Sequence, residues 1–123
     1  MITYQAINLA EIIDAEFYSK VNDINNVSIN ELVFDTRLPI NNSPTAIFFA
    51  LQGLQDGHLF IDEAYNKGIR NFCISDKSFI TKFLDANFFI VVDTLVALQN
   101  WAKYHCQKFN IPIVGITGSN GKT

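Results

Sequence analysis

The chain has 123 residues, of which 49% are hydrophobic and 13% are aromatic, and its formal net charge at pH 7 is −3. This composition excludes an intrinsically disordered chain, and the absence of a Lys/Arg cluster argues against a nucleic-acid partner. No apolar run approaches the ~18 residues of a membrane span, and no signal peptide is visible. We therefore expect a cytoplasmic protein in which Cys73 and Cys106 are buried thiols.

Helical and strand patterns alternate along the chain. Residues 4–17 are predicted to form a helix because apolar residues recur there at helical spacing, and the Asn- and Asp-rich residues 18–31 are predicted to form a loop. The other predicted helices are 60–67, 77–84 and 95–109, and the predicted strands are 32–34, 47–51, 72–74, 88–92 and 111–114. Helices between continuously apolar strands predict an α/β fold, a largely parallel sheet flanked by helices.

The predicted helix boundaries rest on capping residues. Gly68 is a suitable C-cap for the helix over 60–67, and Asp93 and Thr94 are suitable N-terminal caps for the last helix. The apolar stripe of that last helix is predicted to include Leu95 and Leu98, with Trp101 alongside.

The last nine residues, Gly115–Thr123, read Gly-Ile-Thr-Gly-Ser-Asn-Gly-Lys-Thr and follow an apolar run. In a phosphate-binding loop of this kind, backbone N–H groups hold phosphate oxygens, the Lys supplies charge and the Thr hydroxyl ligates Mg²⁺. The generic motif has Gly where this chain has Ile116, so a plain Gly/Asn turn before Lys122 is the alternative. The helix that completes such a loop would follow residue 123, so we expect a piece of a larger enzyme with a truncated P-loop.

Four segments, in this order, carry a resemblance to a known family. They are Phe34–Arg37, Ile47–Gly53 with Asp56–His58, Val92–Leu98, and the terminal loop. They resemble the Asp-Ser/Thr-Arg, Leu-Phe-x-Ala-Leu-x-Gly…Asp-Gly-His, Val-x-Asp-Thr…Ala-Leu and ATP-loop motifs of the Mur ligases. The resemblance implies an N-terminal UDP-substrate-binding domain over residues 1–110 and the start of an ATP-binding central domain over residues 111–123.

The resemblance also implies an activity. The complete enzyme would use ATP and Mg²⁺ to add D-alanyl-D-alanine to UDP-MurNAc-tripeptide in peptidoglycan-precursor synthesis. Its catalytic groups would lie beyond residue 123, so this fragment alone is expected to be inactive. The alternatives are a family member that adds an amino acid instead, and a Mur-like interaction domain without nucleotide binding. Residues 68–72 and 104–112 are also similar to fusions with an alanine racemase, in which case PLP would be bound downstream.

Two groups of site residues follow from the resemblance. The predicted UDP-substrate site comprises Asp35, Thr36, Arg37, Gly53, Leu54, Gln55, Asp56, Gly57 and His58. The predicted ATP site comprises Gly118, Ser119, Asn120, Gly121, Lys122 and Thr123, with Thr123 also serving Mg²⁺. The chemistry is suitable, because a guanidinium matches phosphate and glycines allow close backbone approach.

Structural roles are the alternative for several of these residues. Asp35 is also placed to pair with Arg37 or to cap a turn. Asp56 and Gly57 are also typical of a plain tight turn. His58 is also suited to capping the following helix or to a place in the core.

Overall fold

The structure, a computed structural model, describes residues 3–37, 39–51 and 57–109, with side chains as far as residue 105. The predicted strand over 111–114, the terminal loop and residues 53–56 lie outside these ranges. The predicted domain boundary at residue 110 therefore stays a prediction.

The described residues form seven strands and three α-helices. The strands are β1 (Tyr4–Gln5), β2 (Glu16–Ser19), β3 (Ser28–Ile29), β4 (Glu31–Val33), β5 (Ala46–Phe49), β6 (Asn71–Ile74) and β7 (Asn87–Ile90), and the helices are α1 (Ala6–Ile12), α2 (Ile61–Asn66) and α3 (Thr94–Phe109). Short 3₁₀ segments cover Ile24–Asn26, Ser43–Thr45, Gly57–Phe60 and Lys77–Thr81.

A five-stranded sheet with the order β2-β7-β6-β5-β4 organises the fold. The strands β4, β5, β6 and β7 run parallel to one another, and β2 is antiparallel to β7 at one edge. The strands β1 and β3 form a separate antiparallel pair. The predicted α/β class with a largely parallel sheet is confirmed.

Apolar side chains of the central strands alternate between two cores, one on each face of the sheet. Phe48, Phe72 and Phe88 belong to the core that includes residues of α2. Phe49 and Phe89 belong to the opposite core, with residues of α1 and α3. This alternation follows from the period of two in a strand, and it explains why strands covered on both faces are continuously apolar.

The predicted helix over residues 4–17 is wrong at both ends. Its first residues pair with β3, and its last part is the strand β2, in which Phe17 pairs with Phe89. The two rings meet edge to face, with centroids 5.3 Å apart. Asp14, with a φ of 55°, takes the left-handed conformation between α1 and β2. Tertiary packing and pairing with β7 therefore override the helical periodicity of the segment.

The predicted loop over residues 18–31 is also partly wrong, because it contains β3 and begins β4. Its Asn22 donates to Asn87 Oδ1 at 3.0 Å, Asn87 donates to Asn71 Oδ1 at 2.8 Å, and Asn71 donates to the Ala46 carbonyl at 2.9 Å. Asn71 and Asn87 are buried at the amino ends of β6 and β7. The chain of amides satisfies polar groups that would otherwise be costly to bury.

Local capping was predicted better than helix type. Gly68 has a φ of 99° just after α2, as a C-terminal cap requires. Asp93 Oδ1 accepts from the backbone of Leu95 at 2.9 Å and thereby caps α3. The predicted helix over 77–84 is instead the 3₁₀ segment Lys77–Thr81. The buried face of α3 holds Thr94, Ala97 and Trp101, whereas Leu95 is exposed.

Two composition-based expectations meet the structure here. Cys73 is buried, and that burial raises the pKa of its thiol. The side chain of Cys106 lies outside the described residues. Within the described part of the chain, none of the helices is both long and apolar enough to cross a membrane.

Candidate functional site

The carboxyl edge of the parallel sheet gathers the described residues of the predicted UDP site. Asp35–Arg37 follow β4, and Gly57–His58 follow β5, which is the neighbouring strand. Parallel strands end at the same edge, and ligands of open α/β sheets bind beyond that edge. The structure therefore brings both groups together, whereas residues 53–56 and the ATP residues 118–123 lie outside the described ranges.

Asp35 and Arg37 form a two-pronged ion pair at this edge. Arg37 donates from Nε to Asp35 Oδ1 at 3.0 Å and from Nη2 to Oδ2 at 2.9 Å, and its backbone N–H donates to Oδ1 at 3.0 Å. The Arg37 side chain is 86% exposed. A guanidinium has five N–H donors, so this pair leaves donors for an anionic ligand. The pairing and capping alternative for Asp35 is thus realised, without preventing a role for Arg37 in binding.

Asp35 is expected to titrate well below its usual range. The side-chain hydrogen bond from Arg37 is the largest cause that lowers the Asp35 pKa, from 3.8 to about 2. Because the folded-state pKa is depressed, the stabilisation is present above the ordinary value and is lost as the pH falls through about 2. Carboxyl-carbon NMR titration of Asp35 should show this midpoint, and Arg37→Ala should return it toward 3.8.

Asp85 supplies the internal control for that titration. Its pKa is lowered chiefly by the hydrogen bond from Tyr65, which does not involve Arg37. Its midpoint should therefore be the same in both proteins. An Asp35 midpoint that Arg37→Ala leaves in place would contradict the assigned cause.

Thr36 faces the protein rather than solvent. It is 4% exposed, its hydroxyl donates to Glu63 Oε1, and its carbonyl accepts from Lys67 Nζ. Glu63 lies within α2, and Lys67 is the residue that ends this helix. Sequence reasoning missed Glu63 and Lys67, since an acid and a base four residues apart on a helix are typical of an exposed pair. A direct contact between Thr36 and UDP stays a prediction.

Gly57 occupies a place that has no room for a side chain. Its N–H donates to the Leu51 carbonyl at 2.6 Å. A Cβ atom at this position would lie 2.4 Å from the Leu51 oxygen and 2.7 Å from the Ala50 carbonyl carbon. The tight turn predicted as an alternative for Gly57 is thus present. The Gly57 N–H donates to a backbone carbonyl of the protein.

Gly57→Ala is expected to destabilise the fold by about 1–3 kcal/mol, the usual cost of overpacking. The clash is with backbone atoms, which cannot move aside as a flexible side chain would. Thermal or urea denaturation of the variant measures the loss. Leu59→Ala is the control, because Leu59 lies two residues away and is exposed; equal stability of the two variants would contradict the close approach.

His58 connects the segment after β5 to the end of β6. Its Nε2 accepts from the backbone N–H of Ser75 at 3.1 Å, and its ring stacks on Phe79 with centroids 5.4 Å apart. The side chain is buried. The core position foreseen as an alternative is therefore occupied, and a ligand contact by His58 stays a prediction.

The motif that begins at Val92 links α3 to the carboxyl edge of the sheet. Thr94 Oγ1 donates to the Ala50 carbonyl at 2.9 Å, which joins the start of α3 to the end of β5. Asp93 caps the same helix. These two motif residues therefore have structural roles at the candidate site.

Comparisons with known proteins agree with this architecture. UDP-N-acetylmuramoyl-tripeptide–D-alanyl-D-alanine ligase of Haemophilus influenzae is 32% identical over 124 residues, which cover 100% of this chain and 25% of that protein. The ligase of the same name from Synechocystis is 39% identical over 98 residues, 79% of this chain and 21% of that protein. UDP-N-acetylmuramoyl-L-alanyl-D-glutamate–2,6-diaminopimelate ligase of Clostridium tetani is 33% identical over 120 residues, 94% of this chain and 24% of that protein.

A solved structure shares the fold. UDP-N-acetylmuramoylalanyl-D-glutamyl-2,6-diaminopimelate–D-alanyl-D-alanyl ligase from Acinetobacter baumannii superposes with a TM-score of 0.67 at 18% identity, covering 88% of this chain and 22% of that one. No protein-family model matches the chain.

Over its whole length the chain is similar to Mur ligases. Within the family, it is similar to the N-terminal part of the ligases named for D-alanyl-D-alanine. It spans about a quarter of the length of the curated relatives that it matches.

Proposed function

We propose that this chain is the N-terminal substrate-recognition domain of a cytoplasmic, ATP-dependent ligase that adds D-alanyl-D-alanine to UDP-MurNAc-tripeptide. One observation carries the proposal: Asp35–Arg37 and Gly57–His58 follow neighbouring parallel strands, at the edge where α/β sheets bind ligands. The likeness to D-alanyl-D-alanine ligases supports this choice of substrate.

The chemistry of the edge suits the UDP end of such a substrate. Arg37 supplies an exposed guanidinium for the diphosphate. Phe34 and Leu59, which flank the two groups in sequence, are large apolar side chains that remain exposed. Such side chains provide the apolar wall that a uracil ring requires.

The remaining chemistry belongs to the complete enzyme. ATP would phosphorylate the substrate carboxylate, and Lys122 and Thr123 have the donor set for its phosphates and Mg²⁺. This assignment rests on the sequence motif, since those residues lie outside the described ranges. PLP would be bound only by an alanine racemase fused downstream, and that fusion stays a prediction.

Chemical-shift mapping with UDP tests the proposed site. Weak binding is expected, because contacts from other domains to the sugar and peptide are missing. The shifted amides should cluster at residues 34–37, 57–58 and 91–94. ADP supplies the control, since it carries the same diphosphate with a different base and should bind more weakly. Shifts that cluster at the amino edge, around Asn71 and Asn87, would refute the site.

A ligase that adds diaminopimelate is the second candidate, and the Clostridium tetani relative favours it. Both candidates predict UDP binding, so the product formed by the full-length enzyme must separate them. Incorporation of diaminopimelate instead of D-alanyl-D-alanine would establish the second. Absence of UDP binding would favour the remaining alternative, an interaction domain.

A further inference from the structure

Thr36 is held at two points by one acid and one base from the same helical segment. Its hydroxyl donates to Glu63, and its carbonyl accepts from Lys67 Nζ. Glu63 lies within α2 and Lys67 is the residue that ends it. Because Thr36 is 4% exposed, these contacts fix both its side chain and its backbone against the helix.

This attachment determines where Asp35 and Arg37 lie. The two residues flank Thr36, and their side chains hydrogen-bond to one another. The position of Thr36 therefore sets the position of the Asp35–Arg37 ion pair. Arg37 has its pKa raised chiefly by Asp35 and further by the charge of Glu63, so the helix also contributes to the electrostatics of the pair.

We propose that Glu63 and Lys67 are positioning residues for the UDP substrate, which present Arg37 at the carboxyl edge through their hold on Thr36. The inference rests on the proposed function, in which Arg37 meets the diphosphate. A guanidinium that is already in place loses less freedom on binding, and this strengthens the complex. Neither Glu63 nor Lys67 needs to touch the ligand.

The charge of Glu63 makes the inference testable. A carboxylate near a diphosphate repels it, so a purely electrostatic role predicts that Glu63→Ala tightens UDP binding. A positioning role predicts the opposite, because Thr36 loses its partner. Glu63→Gln removes the charge but keeps an acceptor for the Thr36 hydroxyl, and it should therefore rescue binding.

UDP titrations of the chain, followed by NMR, decide between these roles. Glu63→Ala and Lys67→Ala should each weaken UDP binding by roughly 3- to 10-fold, as the loss of one net hydrogen bond would. Glu63→Gln should bind at least as tightly as the unaltered chain. Asp62→Ala is the matched control, since Asp62 lies on the same helix but pairs with Lys82. Thermal unfolding of each variant separates a loss of binding from a loss of fold.

The possible outcomes distinguish a failure of the positioning role from a failure of the proposed UDP-binding function. If Arg37→Ala weakens binding while Glu63→Ala and Lys67→Ala do not, or Glu63→Ala tightens it, positioning is wrong and the UDP site stands. If the unaltered chain binds no UDP, both are wrong. Should Glu63→Ala unfold, Glu63→Asp replaces it, because its side chain is one methylene shorter and a positioning role then predicts weaker UDP binding; unchanged binding would contradict that role.

Discussion

The Arg37→Ala variant is expected to bind UDP roughly 10- to 100-fold more weakly than the unaltered chain, because a charged hydrogen bond contributes about 1.5–3 kcal/mol net. The loss should appear in binding and not in stability, since the Arg37 side chain is 86% exposed. Parallel UDP titration and thermal unfolding measure the two effects separately.

Arg70→Ala is the matched control for this prediction. Arg70 is also paired with an aspartate, Asp85, but it precedes β6 and so lies at the opposite edge of the sheet. Its removal should leave UDP binding unchanged. The UDP affinity of Arg37→Lys should lie between those of Arg37→Ala and the unaltered chain, because lysine keeps the charge but lacks the planar guanidinium. Unaltered UDP affinity in Arg37→Ala would show that the site assignment is wrong.

Phe72→Ala is expected to destabilise the fold by about 3–5 kcal/mol, the usual cost of removing a buried aromatic ring. Phe72 is fully buried in the central strand β6. Its ring centroid lies 5.9 Å from that of Phe88, 6.1 Å from that of Phe83 and 6.5 Å from that of Phe48. The cavity therefore opens in the middle of a well-packed cluster, where neighbouring side chains cannot fill it. Urea denaturation measures the loss.

Phe34→Ala provides the comparison on the surface. Phe34 is 54% exposed, so the same substitution should cost less than about 1 kcal/mol there. Phe72→Leu should recover part of the loss by filling most of the cavity. A Phe72→Ala variant as stable as Phe34→Ala would contradict the central position of this ring.

The sequence by itself determined the centre of the sheet. The runs around Ile47–Phe49, Phe72–Ile74 and Phe88–Ile90 are continuously apolar, and a strand covered on both faces requires such a run. The end of α2 could also be predicted from the sequence, because Gly68 readily adopts the left-handed conformation that other residues avoid. The Gly68 cap depends on residues adjacent in sequence, and the strands depend on the burial of apolar side chains. Both signals can be seen in one amino-acid sequence.

Only the tertiary structure decided the edges of the fold. The helical pattern over residues 4–17 includes Phe17, yet Phe17 lies in the strand β2 because β7 offers an unpaired edge and Phe89 a ring to pack against. The Asn-rich stretch is predicted from its sequence to be a loop, yet Asn22 completes a hydrogen-bonded chain with the buried Asn87 and Asn71. The partners in each case are distant in sequence, so local propensity cannot report them.

The candidate site divides in the same way. The sequence motifs predict Asp35, Arg37 and Gly57 as site residues, and the neighbouring parallel strands β4 and β5 place them at one edge of the sheet. The direction of the Thr36 hydroxyl, toward Glu63, and of the His58 ring, toward Ser75, was decided by the packing of α2 and β6. A side-chain type gives the chemistry that a residue offers, whereas its nearest partner in space determines which part of that chemistry is left for a ligand.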